Sequence, residues 1–499
     1  MDGTRISCLQ KIVDWVANRS ETKDLQRNTY WIYGVPGVGK TSLAHSICAS
    51  VHHQGQLAGA FFCRRDDPNL SEPRNILPTL MYKLAGIFPP FRRIVANYLR
   101  SDPNLTPESM KDSFFFDLLD TLPKRPNDSL VFVIDAFDEC GDDSGRPRLL
   151  KLLTDAATRT SWLRIIVTSR PEYDIDRFFD SLTPLSYLKY DLTADLEASH
   201  DLRTFAQSQF DLVAKQWCFP TPWPEEALLD RVISQANGLF IFIKTLVLAL
   251  KHCANPTEFL KATSEEASVG SKALYRLYSN ILHSRILHSN AEFQRVIGVV
   301  LSTAPYRALR EKTIAELAGV EPNLVKKWVG DLSSLFYRDE GTNGGIHLRH
   351  LSISDFLVSD HCPRDYRVNP RDANGQLGIA CLKTMVHQLR FNICALEDSR
   401  LANADIKDLP SRITDKISDS LQYSSLYWSN HLCFDYDNND RRVWDCLAEF
   451  FEGLFPLFWI EVLSILGMVP MGVPSIRRVI SWAKVSAAPA CILGNSDWQ

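Results

Sequence analysis

Short apolar runs alternate with amphipathic stretches over roughly the first 195 residues. Residues 5–19 set Ile6, Leu9, Ile12, Val13 and Val16 at helical spacing, which predicts an amphipathic lead-in helix. Five β-prone runs follow, at 29–34, 59–63, 130–134, 163–172 and 185–192. The run Leu130–Ile134 is apolar at every position, as a parallel strand covered on both faces requires. Helical stripes lie between the runs: Leu43, Ile47 and Val51, then Leu77, Leu80, Met81, Leu84 and Ile87, then residues 149–157. Strands alternating with helices predict an α/β fold, a parallel sheet with helices on both faces and right-handed crossovers.

Beyond about residue 195 the period becomes helical, with helices expected at 228–236, 239–250, 274–289 and 293–303. Two shorter helices follow, and then an Asn343-Gly344-Gly345 turn joins two β-prone runs, a hairpin signal. Helices followed by a hairpin and a further helix read as a winged-helix-like segment. Residues 375–485 read as mainly helical without a repeat period. The expected organisation is a lead-in helix at 1–28, an α/β core at 29–192 and a small helical domain at 193–255. A winged-helix-like domain at 256–370, an α-helical extension at 371–485 and an unstructured tail at 486–499 complete it. Leu454–Val473 is apolar except for Glu461 and Ser464. A central carboxylate costs about 2.5–3.5 kcal/mol on membrane insertion, so the stretch reads as a buried helix pair, with a docking face or a membrane contact as lesser readings.

Composition narrows the class. At 499 residues, with 45% hydrophobic and 23% charged, the chain is globular and long enough for about three domains. A net charge of −4 excludes a polycation that coats nucleic acid. Without a strongly basic tract around 305–370, the winged-helix segment does not read as a DNA reader. The 12 cysteines are scattered, with no C-x-x-C pair and no zinc spacing. Met1–Trp15 has no signal-peptide pattern, so reduced thiols and a cytoplasmic location are expected.

Three segments carry chemistry. Gly34-Val35-Pro36-Gly37-Val38-Gly39-Lys40-Thr41, followed by Ser42, fits the phosphate-loop pattern G-x-x-x-x-G-K-[ST]. Its glycines let backbone N–H groups turn toward phosphate oxygens, and the helix behind adds the positive end of its dipole. Lys40 is placed to reach the β- and γ-phosphates, and Thr41 to offer a hydroxyl to Mg²⁺. The apolar strand ending in Asp135 supplies a carboxylate for the same ion. Asp138 and Glu139 follow, and Glu139 is the better candidate to orient or deprotonate an attacking water. Thr168, Ser169 and Arg170 end the next strand, where Arg170 can neutralise a γ-phosphate. A surface arginine before Pro171 is the plainer reading of Arg170, as a solvated acidic turn is of Asp138 and Glu139.

Together GVPGVGKTS (34–42), VFVIDAFDEC (131–140) and IIVTSRPE (165–172) resemble the NACHT family of STAND-type P-loop NTPases, in particular its large fungal group with a nephrocystin-type nucleotide-binding domain. The resemblance covers about residues 1–370, and the helical region that follows in fungal members extends it to about 485. It implies a signalling switch that rests with ADP or GDP, exchanges it for ATP or GTP with Mg²⁺, opens and self-associates. Slow hydrolysis would reset it, and many members act in innate immunity or programmed cell death. The alternative is a nucleotide-bound scaffold that does not hydrolyse. A small-molecule kinase or a helicase fits less well, for lack of a second-substrate site or a second motor domain. Two positions depart from the family: Ala136 stands where glycine is common, and Asn237-Gly238-Leu239-Phe240 lacks a proline that in relatives contacts the base. His350 matches the winged-helix histidine that touches the β-phosphate of a bound diphosphate. Equally, it shares period-two spacing with Ile346 and Leu348 and reads as a core histidine. The effector domain and WD40 repeats common in the family are not seen, so the sequence reads either as a fragment of a longer gene or as a minimal switch whose sensor and effector functions come from protein partners.

Overall fold

The five apolar runs pair into one parallel sheet. The computed structural model describes residues 4–17, 27–101, 112–120, 129–142, 145–160, 162–183, 186–195, 198–265, 268–286, 290–339, 344–398, 400–432 and 440–487. The chain divides into two units, Met1–Ile281 with His350–Ser352, and Leu282–Arg349 with Ile353–Gln499.

In the first unit the strands are β1 (Thr29–Tyr33), β2 (Leu57–Phe62), β3 (Leu130–Asp135), β4 (Leu163–Ser169) and β5 (Tyr187–Asp191), in the order β2-β3-β4-β1-β5. All neighbours are parallel, with Tyr30 beside Ile166 and Ile166 beside Val133. Every residue of β3 and β4 is buried; this explains the unbroken apolar run Leu130–Ile134, while β4 also buries Arg164, Thr168 and Ser169. Alternate residues serve opposite cores. Tyr30, Ile32, Val131, Val133 and Ile166 pack with α1 (Ile6–Val16) and α2 (Lys40–His53) through Ile12, Val16, Leu43, Ile47 and Val51. Trp31, Phe132, Ile134, Ile165 and Val167 face the other way, toward α3 (Ile76–Ile87), α4 (Pro89–Ser101), α5 (Asp112–Asp120), α6 (Gly145–Arg159) and α7 (Tyr173–Ser181). Each large aliphatic side chain so buried contributes about 1.5–3 kcal/mol. Because β4 lies between β1 and β3, the carboxyl ends of all three strands meet at one edge, the position where ligands bind in open α/β sheets.

The helices α8 (Ala198–Trp217), α9 (Glu226–Ala236), α10 (Phe240–His252), α11 (Pro256–Ser264) and α12 (Ser271–Arg285) follow. Asn237 and Gly238, both at positive φ, turn the chain between α9 and α10.

The second unit carries α13 (Asn290–Thr303), α14 (Glu311–Ala318) and α15 (Pro322–Asp331), then the antiparallel pair β6 (Phe336–Arg338) and β7 (Ile346–Leu348). The helix α16 (Leu351–Val358) comes next. β7 ends at Leu348, so His350 lies beyond the strand and not on its face with Ile346. The extension is α17 (Pro370–Gln388), α18 (Leu409–Lys416), α19 (Asp419–Leu432), α20 (Arg441–Glu452), α21 (Phe455–Ile465) and α22 (Gly472–Ala487). At Gly378 a Cβ would lie 2.7 Å from Leu432 Cδ2, so glycine permits the close approach of α17 and α19. The 454–473 stretch is buried on one side only. Trp459, Val462, Leu463 and Ile465 are inside, whereas Leu454, Leu457, Ile460, Met468, Val469 and Val473 are exposed. Glu461 is no loose charge: it accepts N–H bonds from Asn392 and Ile393 at 3.1 and 3.0 Å. Among the described residues no helix is long and apolar enough to cross a membrane. The rest of the tail expected at 486–499 lies outside the described residues, past the end of α22 at Ala487.

Candidate functional site

The chain leaves β1 at Tyr33, loops through Gly34–Gly39 and enters α2 at Lys40. Gly37 and Gly39 have φ of +82° and +102°, a conformation that costs other residues about 1–2 kcal/mol. Gly37 is also hemmed in, since a Cβ there would sit 2.1 Å from Ile241 Cγ2. Lys40 Nζ donates to the carbonyls of Gly34 and Val35 at 2.7 and 3.1 Å. Burial pushes its ammonium down to about 8, with Asp138, Asp135 and Glu139 opposing the shift and Arg170 adding to it. Val35 N–H donates to Thr193 Oγ1 at 3.1 Å, which ties the loop to the segment after β5. Pro36 and Val38 complete the turn, with Val38 buried, and Thr41 and Ser42 lie in the first turn of α2.

Across the sheet edge, Asp135 is buried at the end of β3. Thr168 Oγ1 donates to Asp135 Oδ1 at 2.5 Å and accepts the Ala136 N–H at 3.0 Å. Burial raises the Asp135 carboxyl, and hydrogen bonds from Thr168 and Thr41 and the Lys40 charge offset part of that. The two residues assigned to a divalent cation, Thr41 and Asp135, are therefore adjacent. Ala136 takes a left-handed conformation at φ 53°, which accounts physically for glycine at this place in relatives.

Asp138 and Glu139 separate in role. Asp138 is buried against Arg170, accepting its N–H at 2.9 Å and its Nε at 3.2 Å. The Asp138 carbonyl also receives Arg146 Nη1 at 2.9 Å, and Arg146 pairs with Asp174 at 2.8 Å. Glu139 instead accepts the Arg65 N–H at 3.3 Å. Burial, reinforced by Asp138, lifts its carboxyl to about 7. A base with this affinity is poised to take a proton near neutral pH.

His350 belongs to the same unit, and its Cε1 lies 3.9 Å from the Cβ position of Gly37. The Ser352 N–H, which can only donate, bonds His350 Nδ1 at 3.1 Å, so the ring proton rests on Nε2. Ser352 Oγ lies 2.6 Å from the same nitrogen and 2.8 Å from the buried Tyr278 hydroxyl. Burial lowers His350 to about 3, and Arg170, Lys40 and Lys244 add to the effect, so the ring is neutral.

Sequence reasoning missed Arg5, Ile241 and Thr193, and it left Thr168 without a role. Arg5 is 3% exposed, ion-paired to Asp195, and reaches the carbonyls of Val38 and Leu192 at 3.4 and 3.3 Å. Its own N–H donates to Asp201 at 2.7 Å. Ile241 N–H donates to Gly37 O at 3.3 Å and brings α10 onto the loop. Thr168 and Thr193 act through the bonds described above. No spacing rule connects Arg5 with a carboxylate 190 residues away. The hydroxyl pair at 168–169 did carry a signal, but Thr168 serves Asp135 and Ser169 accepts Trp31 Nε1–H at 2.9 Å.

A five-stranded parallel sheet with this loop at its carboxyl edge defines the class, a P-loop α/β protein with a helical extension. Residues 9–170 match the family described as Nephrocystin 3, N-terminal. The vegetative incompatibility protein HET-E-1 of Podospora anserina is 24% identical over 485 residues, which are 90% of this chain and 34% of that protein. The chain thus spans about a third of the length of this curated relative. Both matches support the likeness of this chain to fungal NACHT-type proteins. Among solved structures it is similar to the Walker-type ATPase PABY2304 of Pyrococcus abyssi, with a TM-score of 0.33 and 14% identity, covering 71% of this chain and 95% of that one. The ORC1 protein of Aeropyrum pernix, solved with DNA, gives a TM-score of 0.32 and 14% identity over 72% of this chain and 92% of that one. At these scores the fold assignment rests on the sheet itself.

Proposed function

We propose that the chain is a STAND-type switch that binds ATP or GTP, hydrolyses it slowly with Mg²⁺ and rests with the diphosphate bound. The observation that carries this reading is the convergence on one sheet edge of the Lys40 loop, the Thr41–Asp135 pair and a near-neutral Glu139. Loop amides and Lys40 bind phosphate oxygens. Thr41 and Asp135 offer the hard oxygen donors that suit Mg²⁺, which commonly takes one or two protein ligands and completes its shell with phosphate and water. No group of three or more His, Cys, Asp or Glu among the described residues competes as a metal site. When bound, the ion supplies charge neutralisation between the outer phosphates. Glu139 orients the attacking water and accepts its proton, and Arg170, held by Asp138, faces charge on the γ-phosphate. Neutral His350 donates its Nε2–H to the β-phosphate of the diphosphate and stabilises the resting state.

In this reading the protein self-associates when activated and works with protein partners that sense the signal or carry out the response, in fungal innate immunity or programmed cell death. The experiment is mass spectrometry of nucleotide released from the purified full chain. The expected result is ADP or GDP, absent from Lys40→Ala. Wild-type protein that purifies free of nucleotide and binds none by calorimetry refutes the proposal. Loss of turnover with retained binding in Glu139→Gln separates the switch from a scaffold that does not hydrolyse.

A further inference from the structure

One cation beside this site has no role in the reading above. Lys244 lies on α10, three residues after Ile241 and therefore on the same helix face. Ile241 fixes where that face points: its N–H donates to Gly37 O at 3.3 Å, and its Cγ2 fills the space over Gly37. The His350 ring borders the same glycine. Lys244 is exposed and has no hydrogen bond or ion pair among the described residues. The carboxylates of the site are engaged elsewhere: Asp138 pairs with Arg170, Asp135 accepts from Thr168, and Glu139 is held near neutrality by burial. Lys244 acts with Arg170 and Lys40 to disfavour a proton on His350.

We infer that Lys244 is a phosphate-binding residue carried by α10, which engages the terminal phosphate of a bound nucleoside di- or triphosphate and so couples polyphosphate occupancy to the position of the lid helix. The inference rests on the nucleotide-binding reading. It makes α10 a two-point sensor, with Ile241 on the loop backbone and Lys244 on the ligand.

The test is isothermal titration calorimetry of the full chain with ADP, GDP, their monophosphates, and non-hydrolysable ATP and GTP analogues. Lys244→Gln is expected to weaken di- and triphosphate binding about tenfold, to leave monophosphate binding unchanged and to flatten the salt dependence. Lys244→Arg should restore affinity. Lys251→Gln, at the far end of the same helix, should match wild type. Lys244 is exposed, so the nucleotide-free melting temperature of Lys244→Gln should equal that of wild type and exclude a folding defect. A Lys244→Gln variant within twofold of wild type for the triphosphates, or equally weakened for the monophosphates, overturns the inference while nucleotide binding stands. Wild type and Lys251→Gln both failing to bind any nucleotide overturns the nucleotide reading and this inference with it.

Discussion

Glu139 titrates where few carboxylates do, and that has a measurable cost in stability. Burial and the neighbouring Asp138 lift its carboxyl from 4.5 to about 7. The folded protein therefore holds this proton more tightly than the unfolded chain. Stability from a raised carboxyl is fully present below the unfolded value, is lost as pH rises toward the folded one, and is flat beyond it. At about 1.36 kcal/mol per tenfold difference in proton affinity, ionised Glu139 costs the fold about 3 kcal/mol. Glu139→Gln removes the charge and keeps an oxygen to accept the Arg65 N–H. The two proteins should then have similar stability at pH 5, and the variant should gain about 2–3 kcal/mol over wild type by pH 8. Native-state hydrogen exchange of peptides from β3 and β4 reads this directly, since those strands form the centre of the first unit. Taking the difference between the two proteins cancels every other titrating group that the substitution leaves alone. A gap that stays closed at pH 8, or that opens toward acid, refutes the assignment of a buried, near-neutral carboxyl. In turnover the same group predicts a rate that rises through about pH 7 as Glu139 ionises.

Further substitutions probe the supports of the site. Gly37→Ala places a methyl 2.1 Å from Ile241 Cγ2 at a φ of +82°, so it should lower the melting temperature and abolish nucleotide co-purification. A wild-type melt with retained nucleotide counts against the packing of α10 on the loop. Arg5→Met removes a buried cation from the half-buried Asp195 and a partner from the Val38 and Leu192 carbonyls, which should lower the melting temperature measured by thermal unfolding. Thr168→Val removes a donor from Asp135 and an acceptor from Ala136 N–H, which should cost about 1–3 kcal/mol and weaken Mg²⁺-dependent nucleotide binding in calorimetry.

The sheet could be read from the chain because strands buried on both faces leave apolar runs, Leu130–Ile134 in β3 and Ile165–Val167 at the centre of β4. The phosphate loop was equally plain, since its glycines and lysine are local in sequence and obligatory in type. The exposed half of α21 was not, because mean hydropathy carries no direction: Leu457 and Ile460 look the same in a sequence as Val462 and Leu463, yet one pair is exposed and the other buried. The placement of His350 was lost to a shared period of two, which β7 does not extend far enough to honour.

Strand order lies beyond any local pattern, and it decides the chemistry of the edge. With β4 between β1 and β3, Thr168 stands beside Asp135 and orients it, a role that its place in the sequence does not announce. The lid contact is hidden for a different reason. Asn237-Gly238-Leu239-Phe240 looked like a departure from a proline contact, but the bond that brings α10 to the loop is the main-chain N–H of Ile241 on Gly37 O. A main-chain donor has no side-chain signature, because every residue except proline supplies it. Its trace in the sequence lies on the acceptor side, at Gly37, where Ile241 leaves no room for a Cβ. The glycines of a phosphate loop are usually explained by the phosphate alone. Here Gly37 answers also to the helix above it, because Ile241 occupies the space a side chain would need.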